Sequence, residues 1–310
     1  MSVLQAGRIR RGKSGICYTA LEQINNKSLN VWRGKTNHPN PRTVILKGAR
    51  PDLFRNELKT LAIVQDHASF RQLLDVIDGE EIMVLEHLAG NLHDVATKRP
   101  SLALERSEVK PVAKVLLQGV DFLHSRNIVH TDIKPNNILV EHDQSMASFS
   151  NPKLSDLGDS VSLQTTANHR FGAPIFRPPE ALLGLPWSQS VDIWSFGVTL
   201  IALLTGIYYF APPRVPLDDE DFGTKVVVRQ LGFFGPFPEK YSEIAGPVLQ
   251  DVHALNEAIS TPGFRQKYQR LLETTLNVED LEFLQCFMQI DPRDRPSAAQ
   301  LLLHPWFNGV

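Results

Sequence analysis

The fold is decided by a polar loop between apolar runs, IVHTDIKPNNILV at residues 128–140, followed by DLG at residues 156–158. Transfer of a phosphoryl group needs an acceptor for a hydroxyl proton, a cation near the transferred phosphate and oxygen ligands for Mg²⁺. The two segments supply these groups in order: Asp132, Lys134, Asn137 and Asp156. An ordinary polar loop between two strands does not predict this combination. The sequence therefore predicts Asp132 and Lys134 as catalytic residues and Asn137 and Asp156 as metal ligands.

A carboxylate on the apolar face of a predicted helix gives a second signal. Glu57 lies between Phe54 and Leu61 at helical spacing, in a helix that begins at Pro51. A carboxylate placed there is costly unless it is paired, and Lys47, which ends an apolar run, is its natural partner. The other interpretation is that both are surface charges, as most lysines and glutamates are.

A glycine-bearing turn near the start matches a phosphate-binding pattern. Residues 7–14, GRIRRGKS, fit G-x-x-x-x-G-K-[ST] with Lys13 as the lysine. The true motif opens a helix, whereas residues 16–21 have the pattern of a strand. A P-loop NTPase using Lys13 is therefore an alternative with poor context.

The same turn also fits the end of the hairpin pattern G-x-G-x-x-G-x-V, whose backbone amides cover nucleotide phosphates. In this alignment Gly12 and Gly15 are the second and third glycines, Cys17 takes the valine position and Arg10 takes the first glycine position. The match alone is weak.

Taken in order, these segments resemble the eukaryotic protein kinase family over about residues 9–307. Three more segments match: FRPPE at 176–180, DIWSFG at 192–197 and DPRDRP at 291–296. The resemblance implies that Glu180 pairs with Arg295 and that Asp192 braces the backbone near His130.

The resemblance also implies an α+β, bilobal kinase fold. Its small antiparallel-sheet N-lobe with one key helix would cover residues 1–88, and its larger, mainly helical C-lobe residues 89–310, together one kinase domain. The cofactors would be ATP and Mg²⁺, with the nucleotide between the lobes and Leu85 as gatekeeper. The implied nucleotide-binding residues are Gly12, Gly15, Cys17, Ile45, Lys47, Glu57, Glu86, Leu88 and Leu139.

Hydrophobic patterning fits this division. Strand-like patterns occupy residues 16–21, 43–46, 72–77 and 81–85, before the character changes to long helical runs at 109–125, 191–204 and 278–288. The apolar stretch 196–211 is predicted to be a buried core helix, too short for a membrane span.

Finer details indicate the kind of kinase. Lys134, two residues after Asp132, is typical of serine/threonine kinases, and HTD with DLG looks most like the SR-protein kinases of the CMGC group. The expected partner is a protein substrate, with Arg/Ser-rich sequences as the finer prediction. The acidic run at residues 218–221 could hold such a substrate, although carboxylates are also stabilised at a helix N-terminus.

Four departures from the family pattern keep a pseudokinase scaffold or binding module as an alternative: Arg10, Ile45, Thr131 and Ala173. Thr131 stands where many kinases carry an arginine that binds a phosphorylated activation loop. It predicts activity without phosphorylation of that loop.

Composition excludes other classes. The 310 residues carry 32 basic and 34 acidic side chains, a net charge of −2, so direct nucleic-acid binding is not expected. The two cysteines, Cys17 and Cys286, fit a reducing compartment. The start lacks the apolar core of a secretory signal, and no membrane segment is expected. We therefore predict an intracellular protein of the cytoplasm, the nucleus or both.

Overall fold

The computed structural model describes residues 4–24, 30–143, 148–163 and 172–310. Its strands are β1 (Ile9–Arg11), β2 (Cys17–Gln23), β3 (Asn30–Thr36), β4 (Thr43–Gly48), β5 (Leu73–Val76), β6 (Ile82–Glu86), β7 (Gly90–Asn91), β8 (Ile128–Val129), β9 (Ile138–His142), β10 (Phe149–Leu154) and β11 (Val161–Ser162). Its α-helices are α1 (Pro51–Ile63), α2 (Leu92–Thr97), α3 (Arg106–His124), α4 (Pro179–Leu182), α5 (Ser190–Thr205), α6 (Phe222–Phe234), α7 (Ser242–Ala245), α8 (Leu249–Ile259), α9 (Phe264–Thr275), α10 (Val278–Phe287) and α11 (Ala298–Leu302).

The residues group into two compact units, 1–90 with 139–160 and 91–138 with 161–310. The second segment of the first unit contains most of β9 and all of β10, which pair with each other. The simple division at residue 88 stays a prediction, because this grouping places residues 139–160 with the N-terminal part of the chain.

The first unit is built on a curled antiparallel sheet with strand order β1-β2-β3-β4-β6-β5. Its two edges meet where Gly12 bridges to Ile77 and the Lys13 amide donates to the Val76 carbonyl at 2.9 Å. Alternate strand residues face inward and form an apolar core of Tyr18, Ala20, Val44, Leu46, Ile82 and Val84, which Leu4 and Ile77 complete. The helix α1 begins at Pro51, whose fixed φ suits a first helical position.

The strands predicted from hydrophobic pattern are confirmed as β2, β4, β5 and β6, and the predicted helix as α1. Strands β1 and β3 were missed. In β3, NVWRGKT, charged residues alternate with Gly34, so no apolar run marks the strand. A Cβ on Gly34 would lie 2.9 Å from the Thr19 carbonyl oxygen, which explains the glycine by close approach of β2.

The second unit is mainly helical and centres on α5. Nearly every residue of α5 is buried, and the buried polar residues Asp192, Ser195 and Thr199 lie among apolar ones. The helix ends at Thr205 because Gly206 adopts a left-handed φ of 69°. The prediction of one helix over residues 196–211 is therefore wrong in its last part, where Ile207 is 45% exposed.

These observations confirm the α+β class. They also contradict the P-loop alternative, because the glycine turn at Gly12 leads into strand β2 rather than into a helix. Within the described ranges, no helix has both the length and the apolar character needed to cross a membrane.

Candidate active site

Three charged side chains of the first unit form one network. The Lys47 ammonium lies 2.7 Å from Glu57 Oε1 and 2.7 Å from Asp156 Oδ1. The side chains of Lys47 and Glu57 are 8% and 3% exposed, and that of Asp156 is 38% exposed. The pairing that the sequence left open is thus confirmed, and the network adds Asp156 as a second carboxylate.

Burial and charge act in opposite directions on these groups. Burial favours the neutral form of Lys47, but the negative charges of Asp156 and Glu57 outweigh it and raise the pKa of the lysine. Burial also raises the pKa of Glu57, against the lowering influence of Lys47 and Arg71. Lys47 therefore stays a cation, while Glu57 is an acid that takes up a proton more readily than usual.

Strand alternation and helix spacing explain how the pair forms. In β4, Val44 and Leu46 point into the core, so Lys47 lies on the opposite face. In α1, Phe54 and Glu57 are buried on the same side of the helix. The carboxylate is therefore carried inward by the apolar face of its own helix.

A bend in the backbone presents Asp156. Its φ of 62° is left-handed, which is uncommon for a residue other than glycine and recurs at functional sites. The Asn56 side chain in α1 fixes the following turn, because its Nδ2 donates to the carbonyls of Gly158 at 2.7 Å and Ser160 at 2.8 Å. Sequence reasoning missed Asn56; its only signal was a polar residue beside Glu57.

The second unit holds its own polar cluster on the loop before β9. Lys134 Nζ donates to both carboxylate oxygens of Asp132, at 2.9 and 2.6 Å. Asn137 Nδ2 donates to the Asp132 carbonyl at 2.8 Å and to its Oδ2 at 2.7 Å. Asp132 and Asn137 are buried, 6% and 7% exposed. The structure therefore brings together the three polar residues that the sequence marked on this loop.

Helix α5 holds that loop in place. The amides of His130 and Thr131 each donate to the Asp192 carboxylate at 2.8 Å, and Thr199 Oγ1 donates to the Ile133 carbonyl at 3.2 Å. Thr131 has a left-handed φ of 71°. The expected brace from Asp192 is confirmed, and it stabilises an otherwise unfavourable backbone conformation.

The ion pair expected between Glu180 and Arg295 is also present, at 2.6 and 2.9 Å, with both side chains 0% exposed. Two parallel hydrogen bonds join the guanidinium to the carboxylate. This pair ties the FRPPE segment to the C-terminal part of the second unit.

The predicted nucleotide-binding residues of β4 and β6 are neighbours. Ile45 pairs with Leu85, and Leu88 is 7% exposed just beyond the strand. All polar groups of Glu86 are engaged: its amide donates to Gln72, and its carboxylate accepts from Lys153 at 2.7 and 2.8 Å. Leu139 lies in β9, partly buried.

A partly buried arginine that sequence reasoning missed contacts this region. Arg71 Nε donates to the Glu86 carbonyl at 2.8 Å. Burial lowers the pKa of Arg71 to about 10, opposed by the charges of Glu57, Glu86 and Asp156. A lone arginine beside a strand carries no periodic signal, so only the fold reveals it.

The structure does not bring the glycine turn to Lys47. Gly12, Gly15 and Cys17 belong to the hairpin between β1 and β2, and β3 lies between β2 and the lysine strand. On this side of β4, the residue paired with Lys47 is Val31 of β3. The strands on this side of the lysine strand are therefore β3 and then β2, and residues 25–29, which join these two in the sequence, lie outside the described residues. The alignment missed this because it did not predict β3.

The chemistry of the donors fits Mg²⁺. Magnesium prefers oxygen ligands, including carboxylates, and Asp156 supplies a carboxylate. Asn137 turns its Nδ2 toward Asp132, so its amide oxygen is on the opposite side. Both are suitable oxygen donors for a hard cation.

Comparison with known families decides the identity. The protein kinase domain model matches residues 5–307. The chain belongs to the protein kinase family. This kinase is therefore classed as an ATP-dependent phosphotransferase, as the loop at residues 128–140 predicted.

Curated relatives agree. The kinase is 28% identical to cell division control protein 2 homolog 3 of Trypanosoma brucei brucei, over 81% of its own length and 77% of the relative. It is 29% identical to mouse dual specificity tyrosine-phosphorylation-regulated kinase 3, over 73% of its own length and 41% of the relative. It is 27% identical to rabbit serine/threonine-protein kinase 17A, over 81% of its own length and 54% of the relative. Relatives of the CMGC type are thus among its matches, and it spans only about half the length of the latter two.

Proposed function

We propose that this kinase transfers the γ-phosphate of ATP to serine or threonine hydroxyls of protein substrates. The observation that carries the proposal is the arrangement around Asp132, whose carboxylate is held by Lys134 and Asn137 and whose backbone is braced by Asp192. Such preorganised groups stabilise developing charge without having to reorganise during the reaction.

Each residue has a distinct role in the proposal. Asp132 orients the substrate hydroxyl and accepts its proton, and Lys134 stabilises the transferred phosphoryl group. Lys47, held by Glu57, binds the α- and β-phosphates. Asn137 and Asp156 hold Mg²⁺, which neutralises charge on the phosphates when it is bound.

For the adenine base we propose contacts with Ile45, Glu86, Leu88 and Leu139. The apolar surfaces of Ile45 and Leu88 support this assignment, since a planar base is bound largely by apolar side chains. We retain Gly12, Gly15 and Cys17 as candidates only for the alternative in which their hairpin reaches the phosphates. Their distance from the lysine strand in the strand order argues against it.

The finer substrate class, Arg/Ser-rich proteins, is a second proposal. It is supported by the exposed carboxylates of Asp218, Glu220 and Asp221 before α6. Asp219 of the same run pairs instead with Lys225 at 2.8 Å, which reduces the negative charge available to a partner. We place the protein inside the cell, in cytoplasm or nucleus, in keeping with two free cysteines.

The competing function is a pseudokinase scaffold. It is favoured by the bulky Ile45 and by the position of the glycine turn, and opposed by the intact groups Lys47, Glu57, Asp132, Asn137 and Asp156. Radiolabel transfer from ATP to a degenerate serine/threonine peptide library separates the two. We expect labelled peptides, and a scaffold gives none at saturating Mg·ATP. The labelled sequences also test the Arg/Ser preference.

A further inference from the structure

Two adjoining open cavities form a groove in the first unit, beside the loop that joins β3 to β4. Their volumes are about 580 and 570 Å³, and both are lined by Thr36, Asn37 and His38. The remaining walls come chiefly from β1, from β2 and from the loop at residues 37–42. The groove is therefore built on three neighbouring strands of one sheet.

Strand register places this groove on the face of the sheet opposite the apolar core. Lys35 pairs with Thr19 of β2 and with Thr43 of β4, and Ile9 of β1 also pairs with Thr19. These residues alternate with the inward-facing ones, so their side chains form a row on the other face. Lys47 lies four residues farther along β4 than Thr43, roughly 13 Å away at the rise of an extended strand. The groove is thus separate from the ammonium proposed to bind phosphate.

The groove carries positive charge without internal compensation. Lys35, His38 and Arg42 lie on its walls, and none of the described residues that line it is acidic. The His38 Nδ1 accepts from the Asn40 amide at 3.3 Å, so the neutral ring carries its proton on Nε2 and can donate there. Three donors for an anionic group therefore lie along the same surface.

Other cations of this unit already have carboxylate partners. Arg10 Nε lies 3.2 Å from Glu80, and Arg33 lies 2.8 Å from Glu22. Lys35 and Arg42 form no ion pair with any residue that the structure describes. Their charges are therefore available to the carboxylates of another molecule.

Apolar side chains lie beside these cations. Ile9 and Ile16 are 59% and 45% exposed, and each lines one of the two cavities. Pro39 and Pro41 add further apolar surface. A single exposed isoleucine is ordinary, but apolar residues grouped on a concave surface mark an interaction site.

We propose that the groove binds an acidic segment of a partner protein, in which apolar residues lie between the carboxylates. The carboxylates pair with Lys35 and Arg42, and the apolar side chains cover Ile9 and Ile16. A nucleic acid fits less well, because the described lining residues include no phenylalanine, tyrosine or tryptophan on which bases would stack. This docking does not depend on phosphoryl transfer and goes beyond the proposed function.

The probe is a short fluorescein-labelled peptide in which glutamate alternates with leucine, and its binding is measured by fluorescence anisotropy. The double variant Lys35→Glu/Arg42→Glu should weaken binding by about tenfold or more, because attraction becomes repulsion at two positions. The matched control is Arg55→Glu/Lys59→Glu, which makes the same change of charge at exposed positions of α1 outside the groove. It should bind the peptide as the wild type does.

The apolar part of the groove is tested separately. Ile16→Ser should weaken binding of the leucine-containing peptide and leave binding of a peptide with serine in place of leucine unchanged. Leu74→Ser is its control, because Leu74 is 52% exposed on β5 and does not line the groove. Should the double charge reversal fail to fold, Arg42→Gln in the exposed loop should still weaken binding of the acidic peptide.

Competition and mass measurements identify the occupant. Single-stranded RNA, or vesicles of phosphatidylcholine with phosphatidylserine, are added against the labelled peptide at equal negative charge, and the mass of the wild type is followed with its concentration. We expect the unlabelled acidic peptide to compete best. Stronger competition by RNA or vesicles, self-association lost only in Lys35→Glu/Arg42→Glu, or equal loss of binding in the two charge variants would overturn the proposal.

Discussion

Two buried ion pairs, one in each unit, have the same charges but different surroundings. Arg295 is saturated: beyond Glu180, its Nε donates to Gln289 at 2.7 Å and its NH2 to Ile290 at 3.1 Å. The Lys47 ammonium is instead shared between two carboxylates, Glu57 and Asp156, at 2.7 Å each.

The difference separates a structural pair from a functional one. A guanidinium with its planar donors bound in fixed directions holds one geometry. An ammonium is a compact point charge with rotatable donors, so it can exchange one partner for another anion. Asp156, the more exposed partner of Lys47, is the one that such an exchange would release. The comparison therefore fits a structural role for Glu180 and Arg295 and the phosphate-binding role proposed for Lys47.

The largest expected effect is on activity. Lys47→Met should reduce phosphoryl transfer by about 10³-fold or more, since it removes a charge that stabilises the transferring phosphates. The fold should persist, because the raised pKa of Glu57 lets the unpaired acid take up a proton. Transfer assays and thermal melts measure both. Lys225→Met, which breaks a surface pair with Asp219, is the control. Unchanged transfer in Lys47→Met would contradict the assignment.

The second effect is on stability. Arg295→Leu should lower the free energy of unfolding by about 3–5 kcal/mol, because it leaves the Glu180 carboxylate buried and unpaired. Urea denaturation measures the loss. Arg50→Leu removes an exposed pair with Asp52, both side chains 62% exposed, and should cost at most about 1 kcal/mol. Similar losses in the two variants would show that the buried pair is not structural.

A smaller effect tests the support of Asp156. Asn56→Ala removes the hydrogen bonds to Gly158 and Ser160 and should cost about 1–3 kcal/mol of stability. Because the turn would loosen, transfer should fall about tenfold while the Kd of a peptide substrate stays constant. Asn37→Ala, at an exposed hydrogen bond, serves as control. A peptide Kd that weakened as much as transfer fell would place Asn56 elsewhere in the function.

The smallest effect is the pH dependence from Glu57. Its pKa is raised in the folded state, so the stability linked to its proton is present at low pH and lost as pH rises through the folded value. Activity should change in the opposite direction, because only ionised Glu57 holds Lys47. Glu57→Gln should therefore remove the fall of kcat/KM at low pH. It should also flatten the same pH range of the stability curve. If kcat/KM still fell at low pH in Glu57→Gln, that fall would belong to another titrating group.

These regions differ in how much of their structure could be predicted from the sequence alone. The loop around Asp132 was predictable because its residues are adjacent, and Glu57 because its charge interrupts an apolar helix face. The position of the glycine turn was not predictable from the sequence. Its distance from Lys47 in the sheet depends on how many strands lie between them, and the sequence pattern did not show that number. Strand β3 was not recognised, because its charged residues and Gly34 interrupt the alternation of apolar and polar residues that marks a strand.

Side chains whose partners lie outside their own helix or strand set the other limit. Arg71 and the turn-holding Asn56 act through partners far along the chain, Glu86 for one and Gly158 for the other. Such contacts leave no periodic pattern in the sequence. They become visible only when tertiary structure brings the strands and helices together.

The central claim is that Asp132 performs transfer while other residues bind nucleotide. It is tested most directly by Asp132→Asn, with phosphoryl transfer and the Kd of Mg·ATP measured on the same preparation. The account predicts that transfer falls by about 10³-fold or more while the nucleotide Kd changes by less than about threefold, since an acid–base group acts on the reacting proton and not on binding. Equal losses of transfer and nucleotide binding, or transfer that survives the substitution, would contradict it.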